Sequence, residues 1–156
     1  MKPKLCKDCE VPLRVLNRPR CYKCTLEKAK LRRKKKREKK AQTPTAQKKV
    51  MDKLWRSKCI EYYGDACQIC GDRTRTNLHH IIGRRNLAVR WYVPNGVPLC
   101  SKHHVYDIKS AHQDPVWFRD QMIQYRGVGW EKDLREQSNE IFDKDYGGVK
   151  NYLEAL

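Results

Sequence analysis

The chain has 156 residues, with 35 Lys and Arg against 18 Asp and Glu, a net charge of +17. With 34% charged residues and only two Phe, its core must be small, and the length allows one modest domain plus an appendage. No run of eighteen apolar residues occurs and no apolar stretch follows the first Met, so a spanning helix and a secretory leader are excluded and a cytoplasmic location is expected.

A balance this basic points to a polyanionic partner, most simply nucleic acid, and away from a membrane. In a reducing cytosol eight cysteines read as metal ligands before they read as disulfides. The first four fall as Cys6-x-x-Cys9, eleven residues, then Cys21-x-x-Cys24. Four thiolates at that spacing form a compact zinc ribbon or knuckle. Arg14, Arg18 and Arg20 lie between the pairs, where they could also touch phosphate.

Residues 26–40 hold ten Lys and Arg and two Glu, a net +8. Nearly all are good helix formers, with too few apolar side chains for a buried stripe. We read 26–46 as a basic helical arm or linker, disordered or half-helical until it orders along a DNA backbone rather than a merely solvated linker helix, with Arg32, Arg33, Lys34, Lys35, Lys36 and Arg37 as its densest candidates for phosphate contact. Thr43-Pro44-Thr45 marks a boundary. From 47 to 64 apolar residues recur at Val50, Met51, Leu54, Trp55, Cys59, Ile60 and Tyr63, a helical spacing that Gly64 stops. Cys59 falls outside every metal-spaced pair and reads as a buried thiol.

The stretch CQICGDRTRTNLHHIIGRRNLAVRWYVPNGVPLCSKHH, from Cys67 to His104, is the densest in chemistry. Cys67, Cys70, Cys100 and His103 suit a second closed tetrahedral zinc, and His79, His80 and His104 are left over for other work. NLHHII (77–82) reads as a strand, GVPLC (96–100) as a second, and SKHHVYDIKSA (101–111) as a helix with Ser101 as N-cap. The dozen residues between Gly83 and Pro94 form a loop long enough to be functional, with Arg84, Arg85 and Arg90 in it. Asp114-Pro115 starts a further helix that Gly127 closes, and His112, ahead of it, reads as a surface residue. Two more helical stretches, WEKDLREQSNEIFDK and VKNYLEAL, complete the chain.

The order of the central motif resembles the HNH endonuclease family of the ββα-metal fold. The likeness implies a small α+β architecture: a zinc-stabilised ββα-metal unit flanked by helices, with an N-terminal zinc ribbon or knuckle and a basic arm. It implies that His80 is the general base, that Asn95 holds the loop and orients His80, and that His79 and His104 bind one divalent ion. That ion is Mg2+, Mn2+, Ni2+ or Zn2+, and the two structural ions are Zn2+. The implied activity is hydrolysis of DNA phosphodiester bonds leaving 5′-phosphates. Some relatives carry another His one helical turn after His104; here that position is Ile108, and Asp107 is the nearest other ligand type.

The layout of cysteine cluster, basic helix and HNH motif is also similar to phage recombination endonucleases of the NinG/Rap type. That likeness implies duplex or branched DNA as substrate and phage or recombination proteins as partners, in the host cytoplasm. The domains expected are a finger at 1–25, the arm at 26–46, a nuclease domain at 47–126 and a helical segment at 127–156. Two other classes fit the charge and cysteines: a zinc-dependent DNA-binding protein without catalysis, and an RNA-binding zinc protein.

Overall fold

The computed structural model describes residues 4–13 and 18–156. Arg14, read above as a possible phosphate contact, lies outside the described residues. The chain divides into two compact units, Met1–Gln47 and Lys48–Leu156. The expected finger and arm fall in the first, and the Cys67–His104 motif and the C-terminal segment in the second.

In the first unit a single antiparallel bridge joins Leu5 to Pro12, and helix α1 spans Tyr22–Ala41. Its sequence contains neither Gly nor Pro, and Cys24 is its one buried residue. The hydroxyl of Thr43 donates to the carbonyl of Lys40 at 2.8 Å and accepts the N–H of Ala46 at 3.3 Å. Thr43 thus ends α1 and caps α2 (Pro44–Tyr63), with Pro44 in the first turn, where a missing N–H costs nothing.

In the second unit β1 (Thr76–His80) pairs antiparallel with β2 (Gly96–Cys100), placing His79 opposite Val97 and His80 opposite Gly96. All of β2 is buried because a core forms on each side of it. Met51, Trp55 and Cys59 of α2 pack with Leu78, Trp91, Val93 and Leu153. Val97 and Leu99 pack instead with Ala111, Phe118 and Met122, the last two from α3 (Pro115–Arg126). Burying a side chain such as Leu99 or Met122 contributes about 1.5–3 kcal/mol each. Gly96 is where β2 meets α2. A Cβ there would come within 2.6 Å of the Cys59 sulfur and 2.8 Å of the Trp55 ring, so only Gly lets the elements close.

Asp114 caps α3 by accepting the N–H of Trp117 at 3.0 Å, as the Asp-Pro pair predicts. The buried face of α3 is Phe118 and Met122, while Val116 and Tyr125 point to solvent. Helices α4 (Val128–Asn139) and α5 (Tyr146–Ala155) follow, and residues 140–145 are not helical. Leu153 of α5 is fully buried in the first core, so 127–156 belongs to this unit. Among the described residues no helix is long and apolar enough to cross a membrane.

The helix expected over 101–111 is replaced by a wide turn. Residues Lys102–Tyr106 form one π-turn, closed by the N–H of Asp107 on the carbonyl of Lys102 at 3.0 Å. Asp107 is extended, and its carboxylate accepts the N–H of Lys109 at 2.9 Å. That side chain offers the backbone an alternative to the helical ladder, and the helix stops there. Ser101 makes no side-chain cap.

Candidate functional site

Cys6, Cys9, Cys21 and Cys24 converge in the first unit, and Cys67, Cys70, Cys100 and His103 in the second, the ligand atoms of each set within 4.8 Å of one another. The Cys9 and Cys21 sulfurs are 3.6 Å apart and those of Cys70 and Cys100 3.8 Å. The Nδ1 of His103 lies 3.3 Å from the Cys100 sulfur and 3.7 Å from that of Cys67. Two thiolates bound to a tetrahedral zinc at about 2.3 Å stand roughly 3.8 Å apart, so both sets fit such an ion as they are.

Two knuckles of unlike sequence share one local build. The first Cys donates its N–H five residues on, Cys6 to Val11 at 2.9 Å and Cys67 to Asp72 at 2.8 Å. The fifth residue donates back, Glu10 to Cys6 at 3.0 Å and Gly71 to Cys67 at 2.8 Å. That fifth residue is left-handed in both, Glu10 at φ 57° and Gly71 at φ 75°. Main-chain N–H groups aim at sulfur: those of Cys21, 3.3 Å away, and Asp8 hold the Cys6 thiol down to about 6. Burial pushes the Cys67 thiol up, but the N–H groups of Cys100, Cys70 and Ile69 outweigh it and the net shift is downward. Cys6 and Cys67 are therefore the first thiols of their sets to ionise. Hydrogen bonds to Cys9 and Cys21 raise Cys24, and Cys70, although the Asp72 N–H lowers it, is pushed up to about 11 by burial and by Cys67 and Cys100. Cys59, the cysteine outside both sets, is wholly buried, and burial raises its thiol to about 12.

The third group is His79, His104 and His112, whose ligand nitrogens also lie within 4.8 Å of one another. Ring centroids are 5.2 Å apart for His79 and His104, 5.1 Å for His79 and His112, and 5.0 Å for His104 and His112. This corrects the reading of His112 as a surface residue outside the metal pattern. It is exposed, yet its ring completes the group. The interrupted helix explains this, since eight further residues of α-helix would carry His112 about 12 Å along the axis from His104. Instead the chain folds back, and the N–H of Ala111 reaches the carbonyl of His103 at 2.9 Å. Asp107, weighed as a third ligand, is not in the group; its carboxylate faces Lys102 at 3.4 Å. Burial, then the rings of His104 and His112, lower His79 to about 3. Burial, then His112 and Arg84, also lower His104. Crowded imidazoles that stay neutral are ready donors to a cation.

Successive strand residues face opposite sides, so His80 turns from this group toward α2. Its ring stacks on Trp55 at 4.0 Å, and its Nε2 lies 3.0 Å from the carbonyl oxygen of Arg90. A carbonyl only accepts, so Nε2 carries the proton and Nδ1 holds the lone pair. The Nε of Arg84 donates to that lone pair at 3.4 Å, so Nδ1 lacks a proton but not a partner. Burial lowers His80 to about 4, with Arg84 adding to the effect and the Arg90 carbonyl opposing it.

Asn95 is fully buried and clamps both ends of the loop. Its Oδ1 accepts the N–H of Ile82 at 2.7 Å, and its Nδ2 donates to the carbonyls of Ile82 at 3.0 Å and Val89 at 2.9 Å. The groups that touch and orient His80 are therefore Trp55 and the Arg90 carbonyl, while Asn95 acts through the loop. Arg90 is not free for DNA as expected. Its Nε and Nη2 donate to Asp52 at 2.9 and 2.7 Å, and its Nη1 to the carbonyl of Arg84 at 3.1 Å. Arg84 and Arg85 are exposed, and Arg32, Arg33, Lys34, Lys35, Lys36 and Arg37 are exposed on α1.

Three further residues escaped the motif. Asp52 receives both Arg90 and, at 2.8 Å, the indole N–H of Trp91. The helical spacing that marks Trp55 and Cys59 as buried puts Asp52 on the same face, a usable signal. His112 was the one histidine without a place. Arg126 donates to the carbonyls of Pro94 at 2.9 Å and Gly96 at 2.8 Å, on either side of Asn95, and to Gln68 of the second knuckle at 2.6 Å. Nothing in its helix announces that role. Comparison with family models, with curated proteins and with solved structures finds no match to this chain.

Proposed function

We propose that the second unit is a ββα-metal endonuclease of the HNH type that hydrolyses DNA phosphodiester bonds and leaves 5′-phosphates. The observation that carries the reading is the pairing of two differently equipped histidines on one strand. His79 joins two other imidazoles in a ligand set, while His80 is held neutral with its Nδ1 lone pair met by the exposed Arg84 Nε at 3.4 Å. A structural zinc protein has use for neither arrangement once its cysteines are satisfied.

His80 takes the proton of the attacking water at Nδ1. The stack on Trp55 and the bond to the Arg90 carbonyl fix the ring for that transfer. Arg84 and Arg85, exposed beside it, attract the phosphate. His79, His104 and His112 are the residues to hold a divalent cation, which when bound supplies Lewis-acid stabilisation of the phosphate and of the leaving oxygen. Cys67, Cys70, Cys100 and His103 hold structural zinc and keep β1, β2 and the π-turn in place, and Cys6, Cys9, Cys21 and Cys24 hold another in the first unit. The basic α1 adds sequence-blind contact to the backbone. A phage recombination setting with branched substrates is the narrower form of this proposal.

The test is incubation of zinc-replete protein with supercoiled plasmid in the presence of Mg2+, Mn2+, Ni2+ or Zn2+, wild type beside His80→Ala. Loss of the base should slow nicking by about 10²–10⁴-fold with DNA affinity kept. Equal cutting by the two proteins removes His80 from the mechanism. Binding without cutting under any metal favours the non-catalytic zinc protein.

A further inference from the structure

The charge of this protein is unevenly shared. The first unit, Met1–Gln47, contains 17 Lys and Arg against 4 Asp and Glu, so it carries +13 of the total +17. Its helix α1 buries only Cys24, so the side chains beyond the knuckle are presented to solvent. Where they point follows from helical geometry. At about 100° per residue, the ten cations from Lys28 to Lys40 sweep roughly 260° of the circumference. The remaining strip carries Glu27, Leu31 and Glu38 and no cation. The arc continues onto the knuckle, where a cleft of about 620 Å³ is lined by Arg18, Arg20, Lys28 and Arg32.

A cationic arc of that width does not suit a flat anionic surface, which meets one side of a helix. Leu26 and Leu31 are the only large apolar side chains past the knuckle, too few for the apolar face a membrane-surface helix needs. Single strands are held by rows of aromatic side chains, and α1 has one, Tyr22, at its start. The shape that surrounds a helix with phosphate on both flanks is the major groove of B-form DNA, about 12 Å wide against a helix diameter of about 10–12 Å. Double-stranded RNA has a major groove too narrow and deep for this.

The geometry points to α1 lying lengthwise in the major groove of duplex DNA, with Lys28 through Lys40 on the two phosphate walls and Glu27, Leu31 and Glu38 turned outward. This deepens the nucleic-acid part of the function proposed above and rests on it, but not on the hydrolysis. At 20 residues the helix is about 30 Å long, less than the roughly 34 Å that one turn of DNA rises along its own axis, so it follows the winding groove for well under one turn.

The test is binding, read by fluorescence anisotropy over a salt series with full-length zinc-replete His80→Ala protein, which removes cutting from the readout. The probes are a labelled DNA duplex, a double-stranded RNA of the same sequence and its single DNA strand. The duplex should bind at least ~10-fold tighter than the RNA. Replacing Arg33, Arg37 and Lys40 together by Ala should lower the salt slope by about 0.9 for each phosphate that is no longer neutralised. Ala keeps the helix, which circular dichroism checks. Glu27→Lys with Glu38→Lys should leave affinity and slope within about twofold, because at physiological salt charges farther off than about 8 Å are screened. RNA or single strand bound as tightly as duplex overturns the groove placement, and so does a marked gain from the two Glu→Lys changes. Failure to bind any of the three at low salt overturns the nucleic-acid reading itself.

Discussion

His80 donates from Nε2 to the main-chain carbonyl oxygen of Arg90 across 3.0 Å, and that one bond decides which ring nitrogen is available for chemistry. Arg90 in turn is held by Asp52 through two hydrogen bonds, at 2.9 and 2.7 Å, so a carboxylate on α2 fixes the His80 ring without touching it.

Asp52→Asn therefore loosens the loop under His80. We expect plasmid nicking to fall about tenfold or more, because a base must be held in place to act, while zinc content stays the same. Thermal unfolding should show a loss of about 1–2 kcal/mol, since hydrogen bonds to a charged group are worth about 1.5–3 and this pair is partly open to water. The sign with pH follows. Burial pushes the Asp52 carboxyl up, but Arg90 and Trp91 outweigh it and the net shift is down. The folded form binds that proton less readily than the unfolded one, so the contribution is present at neutral pH and is lost as pH falls through the acidic carboxylate range. A wild-type and Asp52→Asn pair whose stability difference does not shrink in acid removes the link.

His112→Ala should cost the third cation site a ligand. Titration calorimetry of zinc-loaded protein with Ni2+ should show affinity down at least ~10–100-fold, the range that even indirect changes at metal sites reach. Asp107→Ala, by contrast, should leave it unchanged, because that carboxylate faces Lys102 and Lys109. Equal effects of the two substitutions discard the three-histidine set.

Metal analysis of protein purified without added zinc should find about two tightly held ions per chain, and a chelator should unfold both knuckles. The shared turn makes a sharper check. Glu10 holds φ 57° where the second knuckle has Gly71 at φ 75°, and a left-handed side-chain residue costs about 1–2 kcal/mol. Glu10→Gly should stabilise the first knuckle against chelation, and Gly71→Ala should weaken the second, although a Cβ there meets nothing within 4 Å. Opposite signs remove the equivalence.

Gly96→Ala should destabilise the second unit by about 1–3 kcal/mol, because its Cβ overpacks the Cys59 sulfur and the Trp55 ring. The melting temperature should fall, and because Trp55 also stacks on His80, nicking should fall at temperatures where the protein is still folded. Cys59→Ala, which clears space on that side, should recover part of both losses.

The Cys-x-x-Cys pairs, both strands, the end of α2 and both ends of α3 were legible in the amino-acid sequence, because each depends on residues close in the chain. A Cys-x-x-Cys turn and an Asp-Pro cap are settled by local geometry. The start of α2 at Pro44, ahead of the expected 47, and the continuous helix over Tyr22–Ala41 in place of a half-ordered arm were not legible. The parts expected of His79 and His80 rest on the likeness of the motif; what the structure adds is that alternation along β1 sends the two rings to opposite faces. The place of His112, the engagement of Arg90 and the parts played by Asp52 and Arg126 were not legible either. Asp52 lies 38 residues from Arg90 and Arg126 lies 58 from Gln68, and neither belongs to a paired motif of the kind that announces Cys67 and His103 to each other across a similar span. The fate of His112 turned on where one helix stopped. Asp107 broke the expected helix after five residues, and the chain then had to fold back to bury Ser110 and Ala111. Local chemistry specified the cysteine pairs of the two sets that could hold zinc; the third group of histidines comes together because the chain folds back at Ala111 and brings His112 to His79.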